Sequence, residues 1–88
     1  EYYMSKNKIE LTPQIDVDAI LVAMTAKYKD EDITTIDGVK IDFATEWVHL
    51  RKSNTEPIIR IYTEAPSQQA ADVLALRIID EIKVIAGI

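Results

Sequence analysis

Cysteine is absent from this chain. No disulfide staples the fold, no thiolate can act as nucleophile or metal ligand, and a reducing cytoplasm is the compartment such a composition suits. Basic residues are the minority sign, 10 Lys and Arg against 15 Asp and Glu, for a net charge of −5. Nucleic-acid partners, which are gripped by clustered cations in a positive overall field, are therefore not expected. A single small anion requires only local positive charge. No apolar run approaches the roughly 18 residues of a membrane-spanning helix, and no signal-peptide pattern is present, so no membrane partner is expected. Aromatic side chains make up only 7% of the residues.

What is present is an ordinary globular mixture, 48% apolar and 28% charged over 88 residues. That is enough for one domain spanning residues 1–88, near the small end of what buries its own core. The chain opens on Glu1, Tyr2 and Tyr3 without an initiator methionine, and reads as a piece of a longer protein.

The pattern of apolar positions reads as strand, helix, four strands, helix. Residues 3–11 alternate as a strand. Asp16 is placed to cap a helix over 17–29 whose stripe is Val17, Ile20, Leu21, Met24 and Tyr28. Ile33–Ile36 and Val39–Ala44 flank Asp37-Gly38, a two-residue hairpin signal. Trp47–Lys52 and Ile58–Ala65 follow. The last helix, 67–86, takes Ser67 as N-cap and Gly87 as its stop. Its face is Ala71, Leu74, Ile78, Ile82 and Ile85, widened by Val73 and Ile79. The expectation is an α+β domain, a mostly antiparallel sheet with both helices on one face.

The stretch between the last two strands, RKSNTEPIIR at 51–60, carries the chemistry. Strand alternation puts Val48, Leu50, Ile59 and Ile61 toward the helices, and Trp47, His49, Arg51, Ile58, Arg60, Tyr62 and Glu64 on the opposite face. A hairpin symmetric about its loop sets Arg51 across from Arg60, His49 across from Tyr62 and Trp47 across from Glu64. Like charges placed so are destabilising by some tenths of a kcal/mol. A shared anion reverses the sign, since a charge-assisted hydrogen bond is worth about 1.5–3 kcal/mol. Ser53, Asn54 and Thr55 add two hydroxyls, an amide and loop N–H groups, a donor set suited to phosphate. The residues alone leave a second reading open, in which these are ordinary loop residues and Glu56 pairs with either arginine.

The segments DGVKIDF at 37–43 and WVHLRKSNTEPIIRIYTEA at 47–65, with the helix after them, resemble the C-terminal domain of the α-D-phosphohexomutases over roughly residues 33–86. That superfamily includes phosphomannomutase/phosphoglucomutase and phosphoglucosamine mutase. The core of the likeness, R-x-S-[N/G]-T-E-P-x-x-R, is long and specific. The resemblance implies the order β-α-β-β-β-β-α and a TATA-binding-protein-like fold. It also implies a loop that grips the non-transferring phosphate of a hexose phosphate. Carried over by position, the clamp is Arg51, Ser53, Asn54 and Thr55, with Arg60 from the neighbouring strand; Glu56 and Pro57 shape the loop. These residues match no phosphoserine, Mg²⁺-binding or sugar-recognition segment of the family. Those parts, Mg²⁺ among them, belong by resemblance to three preceding domains of a full-length enzyme. This domain itself is expected to hold no cofactor, to carry no catalytic residue and to be inactive alone. Asn54, where many relatives have glycine, leans toward the phosphomannomutase/phosphoglucomutase type, with phosphoglucosamine mutase as the alternative.

Other features read more plainly. His49 is the sole histidine and fits a surface or packing role beside Tyr62 better than a general base. Trp47 and Tyr62 suggest a base-stacking platform that the acidic chain argues against. Asp30, Glu31 and Asp32 read as a solvated turn rather than a metal cluster, and Lys6 and Lys8 face outward on the first strand, where a neighbouring domain can meet them. A purely structural module docking a partner on the open sheet face is the remaining class.

Overall fold

Ile59 and Ile61 are fully buried, and the strand that carries them, Ile58–Ala65, lies inside the sheet rather than at its edge. The computed structural model describes residues 1–88. Its elements are β1 Tyr3–Glu10, α1 Val17–Lys27, β2 Asp32–Thr34, β3 Val39–Asp42, β4 Trp47–Lys52, β5 Ile58–Ala65 and α2 Gln68–Ala86. The five strands are all antiparallel, in the order β1-β5-β4-β3-β2. Strands β2 to β5 form a meander, and β1 returns from the start of the chain to flank β5.

One face of the sheet, with Ile9, Val39, Ile41, Val48, Leu50, Ile59 and Ile61, meets Ile20, Leu21 and Met24 of α1 and Leu74, Ile78 and Ile82 of α2 in a single buried cluster. Both helices therefore cover the same face, as the alternation requires. Thr63 is the one buried polar residue, and its hydroxyl donates to the Ala71 carbonyl at 2.7 Å. The caps fall where the side chains predict. Asp16 accepts from the Ala19 amide at 3.1 Å, and Ser67 from the Ala70 amide at 3.0 Å. Gly87 closes α2 with φ 78°, a left-handed conformation that costs glycine nothing.

Several expected boundaries shift. β2 ends at Thr34 rather than Ile36, and Ile36 is 95% exposed. The Asp37-Gly38 link is not a two-residue type I′ turn, which needs positive φ at both central residues, because only Gly38 has it. The ladder instead stops at Thr34 opposite Lys40, leaving a wider loop. β3 ends at Asp42 rather than Ala44, since the Phe43 amide turns to the Glu46 carbonyl at 2.8 Å. β1 ends at Glu10, and α1 ends at Lys27, where Tyr28 caps it. On α2, Val73 is 58% exposed and Ile85 is only partly covered. Val73 lies roughly 200° around the helix from Ala71, on the solvent side. Ile85 sits in the last turn, and Ala75, not counted in the expected face, fills the stripe instead.

Candidate functional site

The β4–β5 hairpin has the register that symmetry requires: Arg51 opposite Arg60, His49 opposite Tyr62, Trp47 opposite Glu64. Both arginines project from the face the helices leave open, and both are exposed. On the far side of Arg60 stands Lys8 of β1, so Arg51, Arg60 and Lys8 form one row of cations across three neighbouring strands.

The loop between the arginines is organised by one hydroxyl. Ser53 Oγ accepts from the Thr55 and Glu56 amides, each at 3.2 Å, and lies 3.3 Å from Thr55 Oγ1. This turn gathers Ser53 and Thr55 side by side with the amides above them, a local hydrogen-bonded alternative to extended chain. The loop is tied at both ends, by the Ser53 amide on the Ile58 carbonyl at 3.3 Å and by the Leu11 amide on the Pro57 carbonyl at 2.7 Å. Pro57 thus anchors the loop to the end of β1. Glu56 is exposed and makes no ion pair with either arginine.

Arg51 and Asn54 line one open cavity of about 330 Å³ with Lys52, Gly38, Asp37, Asp18 and Leu21. Arg51 Nη2 lies 3.5 Å from Asp37 Oδ2. This is a long, half-exposed pair of the kind worth about 1 kcal/mol or less, and it leaves most of the five guanidinium N–H donors free. Lys52 is held back against Asp18 at 2.8 Å. Arg60 lies instead in a neighbouring groove of about 360 Å³ with Lys6, Asn7, Lys8 and Tyr62. The structure therefore brings Arg51 and Asn54 to one cavity, sets Ser53 and Thr55 beside each other in the adjoining loop, and leaves Arg60 across the strand.

Asp37 is a member of this site that the sequence pattern does not mark. The β2–β3 loop carrying it is bolted to β4. His49 Nε2 lies 2.5 Å from the Asp37 carbonyl and, facing an acceptor, must be the protonated nitrogen. A Cβ at Gly38 would sit 2.2 Å from the Leu50 carbonyl oxygen, so only glycine allows the approach. His49 is thus a loop anchor. Away from the site, Tyr28 is pushed up to about 12 by burial and by its hydrogen bond to Glu81. No group of three or more acidic or histidine side chains converges to hold a metal ion.

The chain is a two-layer α+β domain whose exposed hairpin presents a hydroxyl-rich turn beside an arginine. The particular family is known from comparison: the chain belongs to the family described as phosphoglucomutase/phosphomannomutase, C-terminal domain, which it matches over residues 8–81. A phosphoglucosamine/phosphogalactosamine mutase of Sulfurisphaera tokodaii is 38% identical over 94% of this chain and 18% of its own length. A phosphoglucomutase/phosphomannomutase of Thermococcus kodakarensis is 42% identical over 81% of the chain and 16% of its own length. A phosphomannomutase/phosphoglucomutase of Pseudomonas putida is 37% identical over 64% of the chain and 14% of its own length. The chain spans less than a fifth of the length of these relatives. No helix is long and apolar enough to cross a membrane.

Proposed function

We infer that this chain is the substrate-phosphate-binding domain of a cytoplasmic phosphohexomutase, an isomerase that moves a phosphoryl group between the C1 and C6 hydroxyls of a hexose. The observation that carries the reading is the 51–60 hairpin. In a chain of this family, it brings Arg51 and Asn54 to one open cavity and sets the Ser53–Thr55 turn in the adjoining loop. The donors favour a phosphate dianion. Arg51 supplies a planar fork, Ser53 and Thr55 supply hydroxyls, Asn54 supplies an amide, and Arg60 adds charge from the next strand.

The domain's part in the reaction is positional. It grips the phosphate that is not transferred, so that binding energy holds the sugar for chemistry done by residues elsewhere. An incoming phosphate draws Arg51 from Asp37, exchanging a weak surface pair for charge-assisted bonds. The three preceding domains of the full-length enzyme are its working partners and carry the reacting serine and Mg²⁺. By itself the 88-residue chain turns nothing over. The phosphomannomutase/phosphoglucomutase type is favoured by Asn54; the phosphoglucosamine mutase reading is kept by relatives of that name in Sulfurisphaera tokodaii and Methanopyrus kandleri.

Titration of the isotope-labelled chain with a hexose 6-phosphate, against chloride at matched ionic strength, tests the reading. Amide shifts that saturate within residues 51–60 are expected. Ser53→Ala and Thr55→Ala should each raise the half-saturating concentration on the order of tenfold, the value of one charge-assisted hydrogen bond. A loop that stays still, or alanine variants that bind equally well, would leave a docking surface as the better account.

A further inference from the structure

The open face of the sheet divides into two halves of different chemistry. Toward the β3–β4 turn its polar groups answer one another. Trp47 Nε1 donates to Glu64 at 3.1 Å, Lys40 pairs with Asp42 at 3.4 Å, and the Lys40 ammonium lies 5.0 Å over the Trp47 ring. The other half is cationic and only thinly answered, Arg51 by the long pair with Asp37 at 3.5 Å. Lys8, Arg60 and Arg51 stand in one cross-strand row, and in the row lying two residues further along the strands Lys6 faces Tyr62. Neither Arg60 nor Lys6 pairs with any acid, and Lys8 reaches only the exposed Glu10 at 3.6 Å. Like charges opposed across strands are destabilising, and a net charge of −5 supplies no reason to gather them.

These side chains do not form a flat patch. Lys6, Asn7, Lys8, Arg60 and Tyr62 line a groove of about 360 Å³ between β1 and β5, separate from the cavity of Arg51 and Asn54. Adjacent strands are about 4.8 Å apart, so Lys8 and Arg51 flank Arg60 from opposite sides. Three cationic side chains and a phenol border this one open groove, and their donors are complemented by an acceptor-rich, negatively charged group.

We propose that the β1–β5 groove is a second oxyanion site, taking a phosphate or carboxylate group on Lys6, Lys8 and Arg60 with the Tyr62 hydroxyl as a fourth donor. Arg60 stands between this site and the Ser53–Thr55 loop and can serve either. The groove does not depend on the loop, and it binds its anion whether or not the loop binds a hexose phosphate.

The test is an amide-shift titration of the chain with inorganic phosphate and, separately, acetate, each against chloride at matched ionic strength. Saturable shifts at residues 6–8 and 60–62 are expected. In a Lys6→Ala/Lys8→Ala variant, half-saturation at those positions should rise on the order of tenfold, two screened surface charges' worth, while the response of residues 53–55 is unchanged. Glu10→Gln, which frees Lys8, should tighten binding. A stronger response to phosphate assigns a phosphorylated small molecule as the occupant, and an equal or stronger response to acetate assigns a protein carboxylate. Shifts confined to 53–55, or shifts at 6–8 that chloride or the Lys6→Ala/Lys8→Ala variant reproduces, would overturn the second site while leaving the loop reading intact. Shifts at 6–8 with a still loop would do the reverse.

Discussion

The two faces of the sheet are built from the same strands, residue by alternate residue, yet follow opposite rules. On the helix side Ile41, Val48, Leu50, Ile59 and Ile61 have no exposed surface, and the lone buried hydroxyl, on Thr63, is hydrogen-bonded. On the open side Arg51, Arg60 and Lys8 are set against each other in a row. One face devotes its positions to burial at about 25 cal/mol per Å². The other gives up a few tenths of a kcal/mol to hold opposed charges in readiness. Burial and exposed charge are thus separated largely by strand periodicity, one residue apart.

That separation can be broken most severely from the inside. Ile61→Ala should cost about 2–5 kcal/mol, from lost burial and the cavity left behind, read as a shift of the urea midpoint. A smaller probe lies in the helix layer. Tyr28 is raised from 10.0 to about 12, so the folded state holds its proton more tightly than the unfolded chain does. Its contribution is intact below pH 10 and is lost as pH rises toward 12. Stability followed by denaturation across that window should decline, and Tyr28→Phe should remove this part of the decline. The smallest effect belongs to the open face. Arg60→Ala should change stability by no more than about 0.5 kcal/mol, and in the stabilising direction if repulsion from Arg51 and Lys8 dominates. A loss as large as that of Ile61→Ala would show that the open face is structural after all.

Much of this arrangement is legible in the sequence. Alternation along 47–52 and 58–65 places both arginines on the open face, and hairpin symmetry pairs Arg51 with Arg60. The caps at Asp16, Ser67 and Gly87 follow from side-chain chemistry at helix ends. The misses in the loops and at the sheet edge have a common cause. Asp37-Gly38 looks like a tight turn to local statistics, but the loop is shaped by its contact with the Leu50 carbonyl, which is a tertiary event. The Asp37–Arg51 pair is hidden for the same reason. Lys6 and Lys8 are visible as outward residues, but hairpin links say nothing about where the first strand docks. Only the finished sheet puts β1 beside β5 and the lysines beside Arg60. Val73 and Ala75 depart from expectation on α2 because angle around the helix, rather than hydrophobicity alone, decides which side chains meet the sheet.

The placement of β1 also has a consequence in time. The β4–β5 pair joins residues close in sequence, so the Ser53–Thr55 turn assembles with a local hairpin. β1 pairs Tyr3 with Ala65, and closing so long a loop is entropically slower. The recess between Lys8 and Arg60 exists only once that closure is made. During synthesis or refolding, the Ser53–Thr55 turn is therefore expected to form early and locally, and the recess between Lys8 and Arg60 to arrive with the β1–β5 pairing, as a mark that the sheet is complete.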